Sequence, residues 1–159
     1  MRSKSAICAL LGAALSLCGC ADKDVLAASV VVVNEVVAKS PGTTKRDWIE
    51  LYNKGDEDVV LDGWSVRDSK DRTPFVIGSL TLKAGGFVAI VYDATGVNGF
   101  VFGLGDADSA RLFDDKQQLV SELSWAIGQA PEGKSWGRLP DGSETTKTLT
   151  PTEAAPNAE

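Results

Sequence analysis

Beyond the first thirty residues, the apolar positions of this 159-residue chain follow the two-residue spacing of β-strands. In the segment 47–52, Ile49 and Leu51 fall on one face and Glu50 falls on the other. The run 87–92 is continuously apolar and follows two glycines, so we predict that it forms a central strand. These patterns indicate a chain that forms sheets.

Turn signals separate the further short apolar runs. Asp62-Gly63 lies between two of them, and Asp114-Asp115-Lys116 lies between the next pair. No amphipathic pattern of ten or more residues competes with these runs as a helix. The further runs are residues 30–37, 59–61, 64–66, 75–77, 111–113, 119–125 and 135–139. We therefore predict an all-β protein, an immunoglobulin-like β-sandwich of seven or eight short strands over residues 30–142.

The residues after this sandwich have a different composition. Residues 143–159 are rich in threonine, and Leu149 is their only large apolar residue. Because the segment has so little apolar surface to bury, we predict that it is a loosely held C-terminal tail.

The N-terminal twenty residues have the organisation of an export signal. Two basic residues precede a 12-residue apolar run, residues 6–17, which is too short to span about 30 Å of hydrocarbon as a helix. The run leads into Leu-Cys-Gly-Cys at 17–20, which resembles a bacterial lipobox. The resemblance implies cleavage between Gly19 and Cys20, a diacylglycerol thioether on Cys20, and a third acyl chain, such as palmitate, on the new N-terminus. An ordinary secretory signal cleaved slightly later is the alternative.

Lipidation at Cys20 would fix the protein to a membrane. Each buried CH₂ contributes about 0.8 kcal/mol, and two or three acyl chains hold a protein where one chain binds only marginally. Residues 20–29 would then be the lipidated cysteine and a short tether, with a flexible reach of roughly 15–18 Å. Ala21, and not aspartate, follows Cys20, a pattern associated in Gram-negative bacteria with passage to the outer membrane.

Charge and residue content exclude several kinds of catalytic site, metal site and partner. The chain has no histidine, which removes Ser-His-Asp and Cys-His catalysis and every histidine-ligated metal site. Removal of the signal, with Arg2 and Lys4, leaves 14 basic and 22 acidic residues and a net charge of −8. Cys8 and Cys18 would also be removed, so no disulfide and no thiolate site would remain. Nucleic acid is an unexpected partner, because phosphate contacts need clustered Lys and Arg.

A series of motifs in fixed order resembles the lamin tail domain in the form that bacteria carry. The motifs are Asn-Glu-Val at 34–36, Asp-Trp-Ile-Glu-Leu-Tyr-Asn at 47–53, Leu-Asp-Gly-Trp-Ser-Val-Arg-Asp at 61–68, Leu-Lys-Ala-Gly-Gly-Phe at 82–87, Gly-Leu-Gly-Asp at 103–106, Arg-Leu-Phe-Asp at 111–114 and Ser-Trp-Gly-Arg-Leu-Pro-Asp-Gly at 135–142. The family commonly closes with Thr-Pro-Gly-Ala-Ala-Asn, whereas this chain has Thr-Pro-Thr-Glu-Ala-Ala-Pro-Asn at 150–157.

The resemblance implies an immunoglobulin-like sandwich, in agreement with the strand pattern. It also implies an interaction module, of a kind that bacteria carry in exported proteins, often beside nucleases or other hydrolases. We expect the polar residues of the family pattern to satisfy backbone groups at strand ends and turns. The residues to which the resemblance gives a structural role are Asn34, Glu35, Asp47, Trp48, Glu50, Asn53, Gly63, Trp64, Gly137, Arg138, Asp141 and Gly142.

Two other patterns suggest binding. Asp106, Asp108 and Asp114 are candidate calcium ligands in acidic loops, although their spacing is not that of an EF-hand. Residues 128–135 match the P-loop pattern, but a proline and a glutamate within it oppose phosphate binding, so we predict a hairpin connection there.

The tryptophans have two interpretations. They could form an aromatic platform for carbohydrate, but four tryptophans in a small sandwich more often pack in its core and rim. These residues are Trp48, Trp64, Trp125 and Trp136.

The sequence therefore predicts a membrane-anchored lipoprotein of the cell envelope that displays one lamin-tail sandwich as a non-catalytic binding or structural module. We predict no catalytic residues and no cofactor. Its expected partners are the membrane, through the lipid anchor, and a protein or glycan that the sequence does not identify. The alternative is a calcium-dependent adhesion or glycan-binding module, followed by a hydrolase accessory protein or an enzyme.

Overall fold

A computed structural model describes residues 30–41, 46–71 and 73–159, and these residues fold into strands joined by turns. Within these ranges there are eleven strands: β1 (Val31–Val37), β2 (Trp48–Asn53), β3 (Val59–Val60), β4 (Ser65–Arg67), β5 (Phe75–Val76), β6 (Thr81–Leu82), β7 (Phe87–Val91), β8 (Asp108–Phe113), β9 (Leu119–Trp125), β10 (Ser135–Arg138) and β11 (Thr146–Leu149). The predicted all-β class is confirmed.

The strands form two main sheets. The larger has the order β11-β10-β1-β2-β7, the smaller has the order β5-β4-β8-β9, and β3 and β6 form a separate pair. All of these ladders are antiparallel. Because β1 packs against β8 and β9, the two sheets enclose a common core, which confirms the predicted immunoglobulin-like sandwich.

The core consists of the apolar residues that the alternation predicts. Ile49 and Leu51 of β2 are fully buried beside Val33 and Val36 of β1. The smaller sheet contributes Leu112 and other apolar residues to the same buried cluster. Glu50 lies between Ile49 and Leu51 and therefore points to the opposite, outer face of the larger sheet.

The prediction that residues 87–92 form a central strand is wrong. Residues 87–91 form β7 at the edge of the larger sheet. A loop shields the far end of this edge, because Tyr92 forms a bridge with Phe100 and a Cβ on Gly99 would lie 1.8 Å from the carbonyl oxygen of Val91. The run that forms β7 is therefore apolar because a loop covers the strand's edge, and not because other strands pair with it on both sides.

Two further details differ from the prediction. More strands are present than the predicted seven or eight, because β3, β5 and β6 have two residues each and are too short to show alternation. The connection 126–134 joins β9 to β10, which belong to different sheets, so it crosses between the sheets and does not form the predicted hairpin.

The prediction of a loosely held C-terminal tail is also wrong. β11 pairs with β10 along its length, and Leu149 is buried. Residues 152–157 donate hydrogen bonds to side chains of β1, β2 and the turn after β10. The sandwich therefore extends beyond Gly142, and polar contacts hold a segment that has little apolar surface.

The described residues contain no helix with the length and apolar content needed to cross a membrane. The predicted signal peptide, its cleavage site at Gly19-Cys20 and the tether fall within residues 1–29, outside the described residues.

Candidate functional site

The site begins with an irregularity in β1. The register of β1 on β2 shifts between Val33 and Glu35, which makes Asn34 the extra residue of a β-bulge. The bulge allows Val33 and Val36, three positions apart, to face the same core. It also places Glu35 directly opposite Glu50 on the outer face of the larger sheet.

Asn34 ties the bulge to two other parts of the chain. Its Nδ2 donates to Oε1 of Glu50 at 3.0 Å and to Oδ1 of Asp141 at 2.9 Å. Its Oδ1 accepts the backbone N–H of Gly142 at 3.0 Å. Both amide hydrogens are therefore used, and the bulge is fixed to β2 and to the turn that follows β10.

Glu35 is fully buried and is held by hydroxyl groups. Ser135 donates its hydroxyl to Oε1 of Glu35. Thr152 donates its hydroxyl to Oε2 at 2.9 Å and its backbone N–H to the same oxygen at 3.3 Å. The carboxyl group thus joins the start of β10 to the C-terminal segment.

Glu50 is fully buried as well. Its Oε1 accepts from Asn34, and its Oε2 accepts the backbone N–H of Ala155 at 3.3 Å. Ala89 of β7 faces it on the side away from Glu35 and offers no polar group from its side chain. The hydrogen bonds of Glu50 therefore come from the side-chain amide of Asn34 and from backbone groups of the C-terminal segment, at Ala154 and Ala155.

Burial raises the pKa of both carboxyl groups. Desolvation raises the pKa of Glu50 to about 8, and the neighbouring charge of Glu35 acts in the same direction. Burial also raises the pKa of Glu35, against hydrogen bonds from Ser135 and Thr152 that lower it. Two adjacent buried carboxyl groups also disfavour double ionisation, which acts in the same direction as desolvation.

The C-terminal segment closes the cluster from outside. Asn157 donates its backbone N–H to Oδ1 of Asp141 at 3.0 Å and its Nδ2 to the carbonyl oxygen of Arg138 at 2.7 Å. Its Oδ1 accepts the hydroxyl of Thr152 at 3.1 Å. A Cβ on Gly137 would lie 2.8 Å from Nδ2 of Asn157, so any larger residue at position 137 would have to displace this amide.

Arg138 connects the two sheets beside the cluster. Its Nε donates to the carbonyl oxygen of Val33 in β1 at 2.8 Å, and its Nη2 donates to that of Glu122 in β9 at 2.9 Å. Its Nη1 donates to the carbonyl oxygen of Ser143 at 2.7 Å. The side chain is buried, and the guanidinium uses its fixed fork to hold an edge strand of the smaller sheet against the larger sheet.

Other residues of the family pattern hold loops near the strand ends. Asp47 accepts the backbone N–H and the hydroxyl of Ser40, both at 3.2 Å. Asn53 accepts from the backbone of Gly55 at 3.0 Å and donates to the carbonyl oxygen of Glu57 at 2.8 Å. Gly63 has a φ of +79°, the left-handed conformation that its turn requires.

The candidate calcium ligands do not come together. Asp108 and Asp114 lie at opposite ends of β8, about 20 Å apart at the usual rise of a strand. Asp108 accepts the backbone N–H groups of Gly105, Ser109 and, in the turn after β4, Ser69. Asp106 pairs with Lys39. In the described ranges no three Asp, Glu, Cys or His side chains are arranged to hold a metal ion.

The four tryptophans are buried and do not form a platform. Trp48 and Trp64 are among the buried apolar side chains. Trp125 donates its indole N–H to the carbonyl oxygen of Gly105 at 2.9 Å, and Trp136 donates to that of Ser124 at 3.0 Å. The interpretation as core and rim residues therefore fits the structure.

Three members of the cluster were not predicted from the sequence as parts of a site. Ser135 was predicted as the first residue of a strand and of a family motif, but its hydrogen bond to Glu35 was not predicted. Thr152 and Asn157 lay in the segment predicted to be loose. The closing Thr-Pro and Asn of the family pattern were the one signal that could have pointed to them.

The arrangement is suited to holding a segment of the chain and not to acting on a substrate. Glu35, Glu50 and Ser135 have no exposed surface, and their polar atoms are engaged with one another and with the C-terminal segment. A nucleophile or a general base has to reach its substrate. The described part of the cluster offers no such access.

Comparison with known proteins supports this description. A search of the curated proteins found no match. The family model described as Lamin Tail Domain matches residues 25–126, which is more than half of the chain. The match covers β1 to β9, including the bulge at Asn34 and the Glu35–Glu50 pair. The chain therefore belongs to the lamin tail domain family, whose fold is immunoglobulin-like and non-catalytic.

Proposed function

We propose that this protein is a lipid-anchored module of the cell envelope that presents its lamin tail sandwich to another macromolecule without catalysing a reaction. One observation carries the non-catalytic part. The polar residues of the family pattern bind one another, the backbone and the C-terminal segment, so they serve the architecture of the sandwich. Since the polar groups of the family pattern are used in this way, we propose that the protein acts through its surface.

The anchor rests on the sequence Leu-Cys-Gly-Cys at 17–20 behind a short apolar run. Acylation of Cys20 would leave about ten residues between the bilayer and β1, a flexible reach of roughly 15–18 Å. The sandwich would therefore stand close to the membrane, with its loops accessible to a neighbouring envelope component. Ala21 after Cys20 supports placement in the outer membrane of a Gram-negative host.

Cysteine replacement tests the anchor. In cells that produce the full chain, Cys20→Ser should move the protein from the membrane fraction to the soluble fraction, and globomycin should cause the unprocessed form to accumulate. Cys18→Ser is the matched control, because it changes a cysteine two positions away and leaves the acylated position intact. Equal membrane retention of wild type and both variants, with an unmodified N-terminus by mass spectrometry, would refute the anchor.

The interaction part needs a separate measurement. Crosslinking in intact cells, followed by purification and mass spectrometry, should recover the same envelope component with wild type and in lower yield with Cys20→Ser. Recovery of no specific component would refute a binding role. The calcium and glycan alternatives gain no support, since the described residues bring together neither the acidic candidates nor an exposed aromatic face.

A further inference from the structure

The loop that follows β7, residues 92–101, is fixed to the sandwich at both of its ends. Tyr92 forms a bridge with Phe100, and the backbone N–H of Asp93 donates to the carbonyl oxygen of Phe100 at 2.9 Å. Phe100 has no exposed surface and stacks on Phe102, with the ring centroids 4.5 Å apart. The base of the β7 loop is therefore part of the folded core.

Asn98 lies on the exposed part of the β7 loop, and its side-chain amide is free to react. Its backbone N–H donates to Oδ2 of Asp93 at 3.0 Å, whereas its side-chain amide forms no hydrogen bond with any residue that the structure describes. The next residue is Gly99, which has no side chain to shield its backbone nitrogen. An exposed, unbonded amide thus stands directly before a glycine.

The other three asparagines of the chain differ from Asn98 in each of these respects. Asn34 and Asn53 are buried and Asn157 is half-buried. The side-chain amide of each forms at least two hydrogen bonds. They precede glutamate, lysine and alanine, and not glycine. The conditions that favour attack of a backbone nitrogen on the preceding side-chain amide therefore coincide at Asn98.

We propose that Asn98 is a site of spontaneous deamidation, at which the backbone nitrogen of Gly99 attacks the side-chain amide carbon of Asn98. A bond forms from this nitrogen to Cγ, the bond from Cγ to Nδ2 breaks, and Nδ2 leaves as ammonia with the proton of the Gly99 nitrogen. Water then opens the cyclic imide. Opening at Cγ gives aspartate, and opening at the main-chain carbonyl carbon gives isoaspartate, in which the main chain runs through Cβ and Cγ.

The packing of Gly99 determines both the rate and the consequence of this reaction. A Cβ on Gly99 would clash with the carbonyl oxygen of Val91 at the end of β7, so Gly99 lies directly against the strand. Attack therefore requires local opening of the loop, which costs less than the wider opening that the buried asparagines need. Isoaspartate adds a carbon atom to the main chain immediately before this contact, so we expect the β7 loop to move off the edge of β7.

Mass spectrometry of aged protein tests the site. Trypsin cleavage places the four asparagines in four different peptides, and the peptide of residues 84–111 contains Asn98. After incubation of the purified full chain at mildly alkaline pH, we expect this peptide to be deamidated at least about tenfold faster than the other three, because each of their amides first has to lose two hydrogen bonds of about 1 kcal/mol. Asn98→Gln is the matched control, because glutamine would have to close a larger ring, which forms much more slowly.

Hydrogen exchange tests the movement of the loop. Deamidation adds a negative charge, so the aged form separates by anion exchange, and fragmentation of the peptide 84–111 gives its isoaspartate content. We expect the amides of residues 92–101 to exchange faster in this form than in fresh protein, while those of β8 and β9 keep their protection. Freshly prepared Asn98→Asp has the same added charge with an unaltered main chain and should exchange as wild type does.

Three results would each overturn the proposal. The first is deamidation of the peptide 84–111 no faster than that of the other three asparagine peptides. The second is deamidation of this peptide in Asn98→Gln at the rate of wild type. The third is an isoaspartate form in which residues 92–101 are protected as well as in fresh protein.

Discussion

Arg138 provides the sharpest test of how this sandwich is held together. Its guanidinium donates to carbonyl oxygens of Val33 in β1, Glu122 in β9 and Ser143 after β10. Replacement by methionine keeps the apolar stem of the side chain and removes all three bonds. Replacement by lysine keeps the charge but not the planar fork, so one of the three acceptors at best keeps its partner.

The expected loss follows from those three contacts. A hydrogen bond to a charged group contributes about 1.5–3 kcal/mol, and an acceptor left unpaired inside a protein costs about 1–3 kcal/mol. The carbonyl oxygens of Glu122 and Ser143 are only partly buried, so water can form hydrogen bonds with them when the arginine is absent. We therefore expect Arg138→Met to reduce the free energy of unfolding by about 3–5 kcal/mol, and Arg138→Lys by about 2–4 kcal/mol.

Urea unfolding followed by tryptophan fluorescence measures both values. Arg46→Met is the matched control, because Arg46 is an exposed arginine with one ion pair, to Glu153, and should change the free energy of unfolding by less than about 1 kcal/mol. The midpoint should move while the slope against urea concentration stays constant. If Arg138→Met costs no more than Arg46→Met, the bridge does not hold the two sheets together.

Two further predictions concern the cluster itself. Gly137→Ala should lower the free energy of unfolding by about 1–3 kcal/mol, since its Cβ would lie 2.8 Å from Asn157 and 3.0 Å from Leu149, whereas Gly78→Ala has no atom within 4 Å and should be close to neutral. An equal effect of the two variants in urea unfolding would contradict this. The neutral form of Glu50 should add to the free energy of unfolding, because its pKa is higher in the folded chain, about 8, than the ordinary value of 4.5. This contribution should be complete below pH 4.5 and should be lost as the pH rises toward 8. The chain has no histidine, so a decline of the urea midpoint between pH 5 and pH 8 points to this pair, and Glu50→Gln should abolish most of it; an unchanged slope in that variant would count against the assignment.

Strand alternation was sufficient for the fold class because one face of most strands is buried. Ile49, Leu51 and Leu123 occupy the core positions that their two-residue spacing predicts. Alternation could not reveal β3, β5 and β6, which have two residues each. It also misplaced β7, because a loop that covers a strand edge produces the same apolar run as a neighbouring strand does.

The C-terminal segment shows the limit of reasoning from apolar content. Residues 150–159 bury no side chain, so the pattern of hydrophobic residues does not predict that this segment is attached to the sandwich. What holds them are backbone and side-chain groups that meet two carboxyls more than one hundred positions away in the sequence. Such contacts depend on topology, and in the sequence only the closing residues of the family pattern indicated them.

The bulge at Asn34 explains how an apolar core and a buried carboxyl pair share the same two strands. Without an extra residue, a strand that turns Val33 toward the core would turn Val36 away from it, and Glu35 would face the core. The bulge absorbs one residue, so both valines stay in the core and Glu35 is directed to the outer face opposite Glu50. The side-chain amide of Asn34, at the bulge, donates to both Glu50 and Asp141. The irregularity in β1 therefore places Glu35 beside Glu50 on the outer face, where the C-terminal segment donates hydrogen bonds to both.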